Sequence, residues 1–141
     1  MTLKISDVSI GMELPVLDLA FTRADLVAYA NASGDQNPIH QDEAFAKSVG
    51  LPDVIAHGML TMGRAIQVVT NWVGDPTAVI DYSVRMTRPV VVPDTADGSV
   101  VSFTGKVVQI NDDGTVLIEL GAVFGDVKVL GLAKATVRLA Q

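Results

Sequence analysis

The segment MLTMGRAIQVVTNWV, residues 59–73, decides the fold class of this chain. Its apolar side chains recur at intervals of three or four residues, which is the spacing of one face of a helix. Further apolar residues occupy much of the remaining surface, so the pattern predicts a helix that is buried rather than half exposed. Gly74 and Pro76 predict where this helix ends. The recurring apolar positions are Met59, Met62, Ile66, Val69 and Val73.

From residue 80 onward, apolar residues alternate with polar ones, which is the period of half-buried strands. The alternation is clear in residues 80–86, 101–107, 116–122 and 133–139, and the turn at 111–114, Asn-Asp-Asp-Gly, predicts a hairpin between two of these segments. One buried helix followed by an antiparallel meander predicts an α+β fold, in which a long sheet wraps around the helix.

Shorter helices are predicted upstream of the buried one. Thr22 can cap a helix over residues 23–31, with Asp25 three positions later in an arrangement close to a capping box. A second helix, over residues 42–48, is expected to stop at Gly50.

The segment SGDQNPIH, residues 33–40, follows the first of these helices and places Asp35 five residues before His40. Gly34 permits backbone angles that are closed to other residues, and Pro38 keeps the residue before it out of the helical region. Asp35 and His40 are therefore presented from a bend, where both side chains can converge on one small molecule. On spacing alone, an Asp that caps a turn beside a packed His remains an open interpretation.

The chain resembles the MaoC-type (R)-specific hydratases and dehydratases of the hotdog superfamily. The family signature Gly-Asp-x-Asn-Pro-aliphatic-His is matched by residues 34–40, with Tyr29 before it and the small residue Ala46 after it. Ala32 departs from the signature, because a larger aliphatic residue or Gly is usual there. Residues 55–63, IAHGMLTMG, continue the likeness, which covers nearly the whole chain and is greatest to the catalytic B-type subunits of mycobacterial (3R)-hydroxyacyl-ACP dehydratase.

This resemblance implies a hotdog fold that occupies residues 1–141 as a single domain and pairs edge to edge as a dimer. Pairing would also cover the exposed edge of an open antiparallel sheet. The resemblance further implies that Asp35 and His40 share the acid–base chemistry. It implies that the backbone N–H of Gly58, at the N-terminus of the buried helix, faces a thioester carbonyl.

Asn37, Ser33 and His57 are candidates for orienting the acid–base pair or lining its pocket, since an amide both donates and accepts hydrogen bonds. A purely structural role for His57 is equally open. Asp and His side chains could instead ligate a metal, but the chain has only 2 His and neither HxxxH nor HxH spacing, so no metal site is expected.

The methionine and arginine side chains near these motifs each have two possible interpretations. Three methionines are interpreted as core residues that could flank an acyl tunnel, where flexible thioethers suit a variable chain. Three arginines are interpreted as solvated, with contact to a substrate phosphate as the alternative. These residues are Met59, Met62, Met86, Arg64, Arg85 and Arg88.

The overall composition argues against several classes of binding partner, chemistry and location. The formal net charge of −6 argues against nucleic acid and anionic membrane surfaces, which are bound mainly through clustered Lys and Arg. The absence of Cys excludes disulfides and thiolate chemistry. No secretory signal is apparent and no stretch approaches the ~20 apolar residues that span a bilayer, so a cytoplasmic location is expected.

The resemblance, with Asp35 and His40 as the acid–base pair, implies a lyase that interconverts a (3R)-hydroxyacyl thioester with a trans-2-enoyl thioester and water. We expect no cofactor beyond the pantetheine-borne substrate, an acyl-ACP or an acyl-CoA. The resemblance implies the dehydration step of fatty-acid elongation on acyl carrier protein, in a heterodimer with a related hotdog subunit. The alternatives are a homodimeric (R)-specific enoyl-CoA hydratase, a non-catalytic acyl-binding subunit and a hotdog thioesterase.

Overall fold

An antiparallel sheet dominates the computed structural model, which describes residues 2–141; Met1, the first residue of the expected domain, lies outside the described residues. The order across the sheet places the strands as first, third, fourth, sixth and second in chain order, with the short fifth strand beside the fourth. The first and second strands are therefore the two edges. The strands are β1 Leu17–Phe21, β2 Val79–Met86, β3 Ser99–Ile110, β4 Thr115–Phe124, β5 Val127–Lys128 and β6 Leu130–Arg138.

The alternation predicted for the central strands is confirmed. Alternate residues are buried over residues 101–107 of β3, 116–122 of β4 and 133–137 of β6, as the period of two requires. The predicted hairpin joins β3 to β4, where the Asn111 N–H donates to the Thr115 carbonyl at 2.9 Å and Gly114 adopts a φ of +83°. The buried inner positions include Val101, Phe103, Val107, Val116, Ile118, Ala122, Ala133, Ala135 and Val137.

Within residues 2–141 there are four α-helices, of which α3 contacts β4 and α4 contacts β3. They are α1 Arg23–Ser33, α2 Glu43–Ser48, α3 Gly58–Ala65 and α4 Gln67–Val73. Thr22 and Asp25 form a complete capping box at the start of α1, because each side chain accepts the backbone N–H of the other residue. Within the same described range, none of the helices has the length and apolar character needed to cross a membrane.

The single helix predicted over residues 59–73 is in fact two consecutive helices, α3 and α4, which meet at Ile66. The ψ of Ile66 is −17°, and its carbonyl accepts both the Val69 N–H and the Thr70 N–H at 3.0 Å. A bond to the third residue along the chain belongs to a 3-10 turn, so the backbone tightens here. The apolar spacing continues through this tightening and therefore did not reveal it.

The burial predicted for this segment is confirmed on one side only. Val68, Val69 and Val73 are buried in the core. On the other side Met59 is 59% exposed, and Met86, at the end of the edge strand β2, is 48% exposed. The interpretation of these two methionines as core residues is therefore wrong for the single chain.

Candidate active site

The segment that joins α1 to α2 is shaped by one glycine and one proline. α1 ends at Gly34, which adopts the left-handed φ of +81° and donates its N–H to the Ala30 carbonyl at 2.9 Å. A 3-10 turn, Pro38–His40, follows, and Asn37 before it has a ψ of 124°, outside the helical region. The predicted bend between the helices is therefore confirmed.

Three polar side chains hold this bend in the same way, each by accepting the backbone N–H two residues further on. Asn37 thus contributes to the site chiefly through its backbone N–H, which fixes the Asp35 carboxylate, while its side-chain oxygen begins the 3-10 turn. The bonds are Ser33 Oγ from the Asp35 N–H at 3.1 Å, Asp35 Oδ1 from the Asn37 N–H at 3.1 Å, and Asn37 Oδ1 from the Ile39 N–H at 3.2 Å.

His40 is buried at the end of the 3-10 turn, with 7% of its surface exposed. Its Nδ1 lies 2.7 Å from the Ile55 carbonyl oxygen. Because a carbonyl only accepts, Nδ1 must carry the proton of this bond, and the neutral ring then keeps a lone pair on Nε2. The fold therefore selects the tautomer of His40 that leaves Nε2 free to take a proton.

His57 lies directly beneath His40 and is 1% exposed. The two rings stack with centroids 3.8 Å apart and planes 26° apart, and the Tyr29 ring packs against His57 at 4.7 Å. His57 Nε2 lies 3.2 Å from the Asp35 carbonyl oxygen. Burial, reinforced by repulsion from His40, lowers the pKa of His57 below its ordinary 6.5, against the opposing effects of the Asp35 hydrogen bond and charge.

The bend and the residue before α3 bring three polar side chains to one place. One ligand-type atom each from Asp35, His40 and His57 lies within 4.8 Å of the others, although Asp35 is exposed and both imidazoles are buried. The predicted convergence of Asp35 and His40 is therefore observed. Each imidazole already uses one nitrogen on a backbone carbonyl, and the expectation that no metal binds here stays a prediction.

A cavity of about 270 Å³ opens beside His40, between the start of α3 and the end of β2. His40 and Gly58 both line it, whereas Asp35 is not among the lining residues. A larger groove of about 810 Å³ runs over β3, β4 and β6, but no imidazole lines it. The smaller cavity is therefore the one that adjoins the acid–base pair. Its lining consists of His40, Ile55, Ala56, Gly58, Thr61, Met86, Thr87, Arg88, Pro89, Val90, Val129 and Leu130.

Gly58 is the first residue of α3, and its N–H has no acceptor within residues 2–141. The first N–H groups of a helix are unpaired and lie at its positive end. A Cβ at this position would lie 2.5 Å from Met86 Sδ, which is too close for the present arrangement. Glycine is therefore needed here for the Met86 thioether to pack against the helix start.

Sequence analysis missed two residues, Thr61 at this cavity and Arg23 outside it. Thr61 is buried, lines the cavity and lies one helical turn after Gly58, a spacing that could have pointed to it. Arg23, at the start of α1, donates from Nε to the Val92 carbonyl and from its guanidinium to Asp53, each at 2.7 Å. Arg23 thereby links α1 to the segment before His57, and no sequence motif predicted this contact.

The three arginines singled out by sequence differ in their surroundings. Arg64 donates to the Ala20 carbonyl at 2.7 Å, lies 3.4 Å from Asp25 and covers the Phe21 ring, so its role is structural. Arg88 is exposed and lines the cavity, and Arg85 is exposed on β2. Arg88 is therefore the one placed to meet an anionic ligand.

Comparison with known proteins identifies sequence relatives. A family described as MaoC like domain matches residues 7–122. The 3-hydroxyacyl-thioester dehydratase X of Mycobacterium tuberculosis (strain ATCC 25618 / H37Rv) is 43% identical over 82 residues, which cover 58% of this chain and 28% of that protein. The (R)-specific enoyl-CoA hydratase of Rhodospirillum rubrum is 32% identical over 87 residues, which cover 61% of this chain and 60% of that protein.

A solved structure described as a MaoC-like dehydratase has a TM-score of 0.95 and 44% sequence identity to this chain. The match covers 99% of this chain and 43% of that one. The chain thus spans less than half the length of this structure and of the mycobacterial relative.

Proposed function

Because this chain belongs to the MaoC-like domain family, we propose that it is a hydro-lyase, which interconverts a (3R)-hydroxyacyl thioester with a trans-2-enoyl thioester and water. The observation that carries the proposal is the convergence of Asp35 and His40, whose polar atoms lie within 4.8 Å of one another, beside a cavity that also reaches Gly58. The names of the two sequence relatives, a dehydratase and a hydratase, support the same reaction class.

The reaction needs two proton transfers on one face of the substrate. In hydration, a base removes a proton from water as the oxygen attacks C3, and an acid delivers a proton to C2. In dehydration, a proton leaves C2, and the 3-hydroxyl takes up a proton and departs as water. Asp35 and His40 share these transfers through the carboxylate and Nε2, each contributing ~10²–10⁴-fold.

Negative charge develops on the thioester oxygen when water attacks C3 in hydration and when C2 loses its proton in dehydration. The unpaired N–H of Gly58 donates to this oxygen, and the positive end of α3 adds to the stabilisation. Ser33 and Asn37 act indirectly, because their hydrogen bonds hold the bend that presents Asp35. The proposed chemistry needs no cofactor or metal.

The proposed carrier of the acyl chain is acyl carrier protein in fatty-acid elongation, in the cytoplasm, with coenzyme A as the alternative. Both carriers are anionic, and Arg88 supplies positive charge at the cavity despite the net charge of −6. In this proposal residues 1–141 form one hotdog unit that pairs with a second unit, either a copy or a related subunit. The edge strand β2, where Ile80 and Met86 are exposed, is the surface for that pairing.

A non-catalytic acyl-binding subunit is the candidate from another class. Such a subunit has no use for a carboxylate and an imidazole that converge beside the cavity, so we rank it below the lyase. A hotdog thioesterase would use the same cavity but would release a free thiol.

The test is an assay of the purified chain with trans-2-enoyl-CoA thioesters of graded length, in which enoyl absorbance, product chirality and free thiol are measured. We expect (3R)-hydroxyacyl product without thiol release. Activity of the chain alone on short substrates would favour the homodimeric hydratase, and activity recovered with a related hotdog subunit would favour the heterodimer. Thiol release, or a folded chain that is inactive even with such a subunit, would contradict the lyase.

A further inference from the structure

We propose that His57 is the positioning residue of the Asp35–His40 pair, a neutral imidazole that donates its Nε2–H to the main chain of Asp35 while its ring supports the ring of His40. The inference rests on the proposed function and assigns to His57 a task that neither proton transfer requires.

The hydrogen bonds around His57 determine where its proton lies. Nε2 is 3.2 Å from the carbonyl oxygen of Asp35, which only accepts, so Nε2 carries the hydrogen. Nδ1 is buried and has no hydrogen-bond partner within residues 2–141. An N–H at Nδ1 would be an unsatisfied buried donor, whereas a bare lone pair on a neutral ring is less costly. The arrangement therefore fits one protonation state, with the hydrogen on Nε2 alone.

The groups that face His57 favour the same neutral state. His40 stacks on it at 3.8 Å, and the Tyr29 ring of α1 contacts it at 4.7 Å. A charge on His57 would be desolvated and would repel a cationic His40 during turnover, an effect that the nearby Asp35 carboxylate only partly offsets. A neutral His57 lets His40 gain and lose a proton without a second positive charge below it.

One buried ring, that of His57, therefore contacts both members of the acid–base pair. The ring fixes the backbone of Asp35 by a hydrogen bond and the plane of His40 by stacking, and it stands at the start of α3 beside Gly58. A displacement of about 1 Å between reacting groups can cost ~10²-fold in rate, so a shared support of this kind has a kinetic consequence.

The first test does not depend on activity. Long-range ¹H–¹⁵N correlation spectra of the two imidazoles, recorded at about pH 8 where an ordinary imidazole is neutral, report the tautomer of each ring. We expect His57 as the Nε2–H tautomer and His40 as the Nδ1–H tautomer, with the spectrum of the His57→Gln variant assigning the rings. His57 observed as the Nδ1–H tautomer, or as a cation, would overturn the inference even if the proposed reaction is confirmed.

The second test separates the hydrogen bond from the ring. His57→Phe keeps the ring and loses the donor, and we expect kcat to fall about threefold to tenfold, the range for one neutral hydrogen bond, with KM little changed. His57→Gln keeps a donor at the Nε2 position and should retain more of kcat than the Phe variant. Thermal unfolding of both variants identifies loss of fold.

Three results of this second test would contradict the inference. Equal kcat in wild type and the folded Phe variant would show that the hydrogen bond does not matter. A Gln variant as slow as the Phe variant would show that a hydrogen-bond donor at this position does not restore the rate. A loss in the Phe variant as large as that of His40→Ala would make His57 a catalytic residue instead.

Discussion

Within residues 2–141, two turns share a Gly-Asp start and a 3-10 turn with a leading Pro, and only one of them carries a histidine that stacks on a second histidine. α1 ends at Gly34 and α4 at Gly74, each with left-handed φ, +81° and +77°. An Asp follows each glycine, Asp35 or Asp75, and its Oδ1 accepts the N–H two residues further on, at 3.1 Å or 2.9 Å. A 3-10 turn with a leading Pro then begins, Pro38–His40 or Pro76–Ala78.

The two turns differ in the residues between Asp and Pro, in the third residue of the 3-10 turn and in what lies beneath it. Gln36 and Asn37 separate Asp35 from Pro38, whereas Asp75 directly precedes Pro76 and itself caps the 3-10 turn. The third residue of the 3-10 turn is His40 in one case and Ala78 in the other, and His40 rests on a second buried imidazole. The carboxylate of Asp75 also accepts the Thr77 hydroxyl at 2.7 Å, and these bonds lower its pKa. The hydrogen bonds of either turn are therefore sufficient to hold a carboxylate in place. Only the turn with the buried histidines also gives that carboxylate a partner for proton transfer.

Replacing His40 with Ala gives the first 3-10 turn the same third residue as the second and should have the largest effect. We expect kcat for enoyl hydration to fall by ~10²-fold or more, because the general acid–base group is lost. The rate is measured from the enoyl absorbance, and circular dichroism checks that the variant is folded. A folded variant within about threefold of the wild-type rate would contradict a catalytic role for His40, since the expected contribution is far larger.

Gly58→Ala tests whether the cavity beside His40 is the reactive one. The added Cβ would lie 2.5 Å from Met86 Sδ, so this thioether, which lines the cavity, must shift and change the shape of the cavity. We expect kcat/KM to fall about tenfold, less than the loss of a carbonyl donor, because the N–H itself remains.

The matched control for this substitution is Gly63→Ala on the same helix. A Cβ at position 63 meets nothing within 4 Å. This variant should keep wild-type kinetics and gain a little stability from the higher helix propensity of Ala. Equal kinetics in the two alanine variants would contradict the placement of the thioester at Gly58.

Gly34→Ala and Gly74→Ala compare the two turns directly. Each places a Cβ in a left-handed conformation, and a Cβ at position 34 meets no neighbour within 4 Å, so the cost there is backbone strain. We expect each variant to lose about 1–2 kcal/mol of unfolding free energy in urea titrations. Only Gly34→Ala should also lower kcat, because only that turn carries a reacting carboxylate; a similar loss of kcat in both variants would contradict this.

The smallest effect is on the pH dependence of stability. Burial lowers the folded-state pKa of His57, so between the unfolded value of 6.5 and the folded value the unfolded chain binds more protons. The unfolding free energy contributed by neutral His57 is therefore present above pH 6.5 and is lost as the pH falls below it. Urea titrations should show a shallower acid decline for His57→Gln than for wild type; parallel curves would contradict the lowered pKa.

Sequence patterns predicted the local features well, because each depends on residues close together in the chain. The Thr22–Asp25 capping box, the left-handed Gly34 and the Asn111–Gly114 hairpin all follow from nearest-neighbour chemistry. The inner faces of the central strands followed from their alternation, since burial on one side is a property of the strand itself.

The remaining features depend on contacts between distant residues. β1, Leu17–Phe21, was not predicted, because its strand identity comes from pairing with β3. The tightening at Ile66 was missed because the apolar spacing continues through it, and the exposure of Met59 was missed because spacing alone does not say which helix face the sheet covers. At the site, sequence supplied Asp35 and His40, but the stacking of His57 under His40 joins residues that only the fold brings together.

The most direct test of the central claim is the hydration rate of Asp35→Asn beside that of Asp75→Asn. Asn keeps the Oδ1 acceptor that holds each turn, so only the carboxylate charge and basicity are removed. We predict a loss of ~10²-fold or more for Asp35→Asn and a rate within about twofold of wild type for Asp75→Asn. A folded Asp35→Asn variant that matches Asp75→Asn in rate would contradict the catalytic assignment.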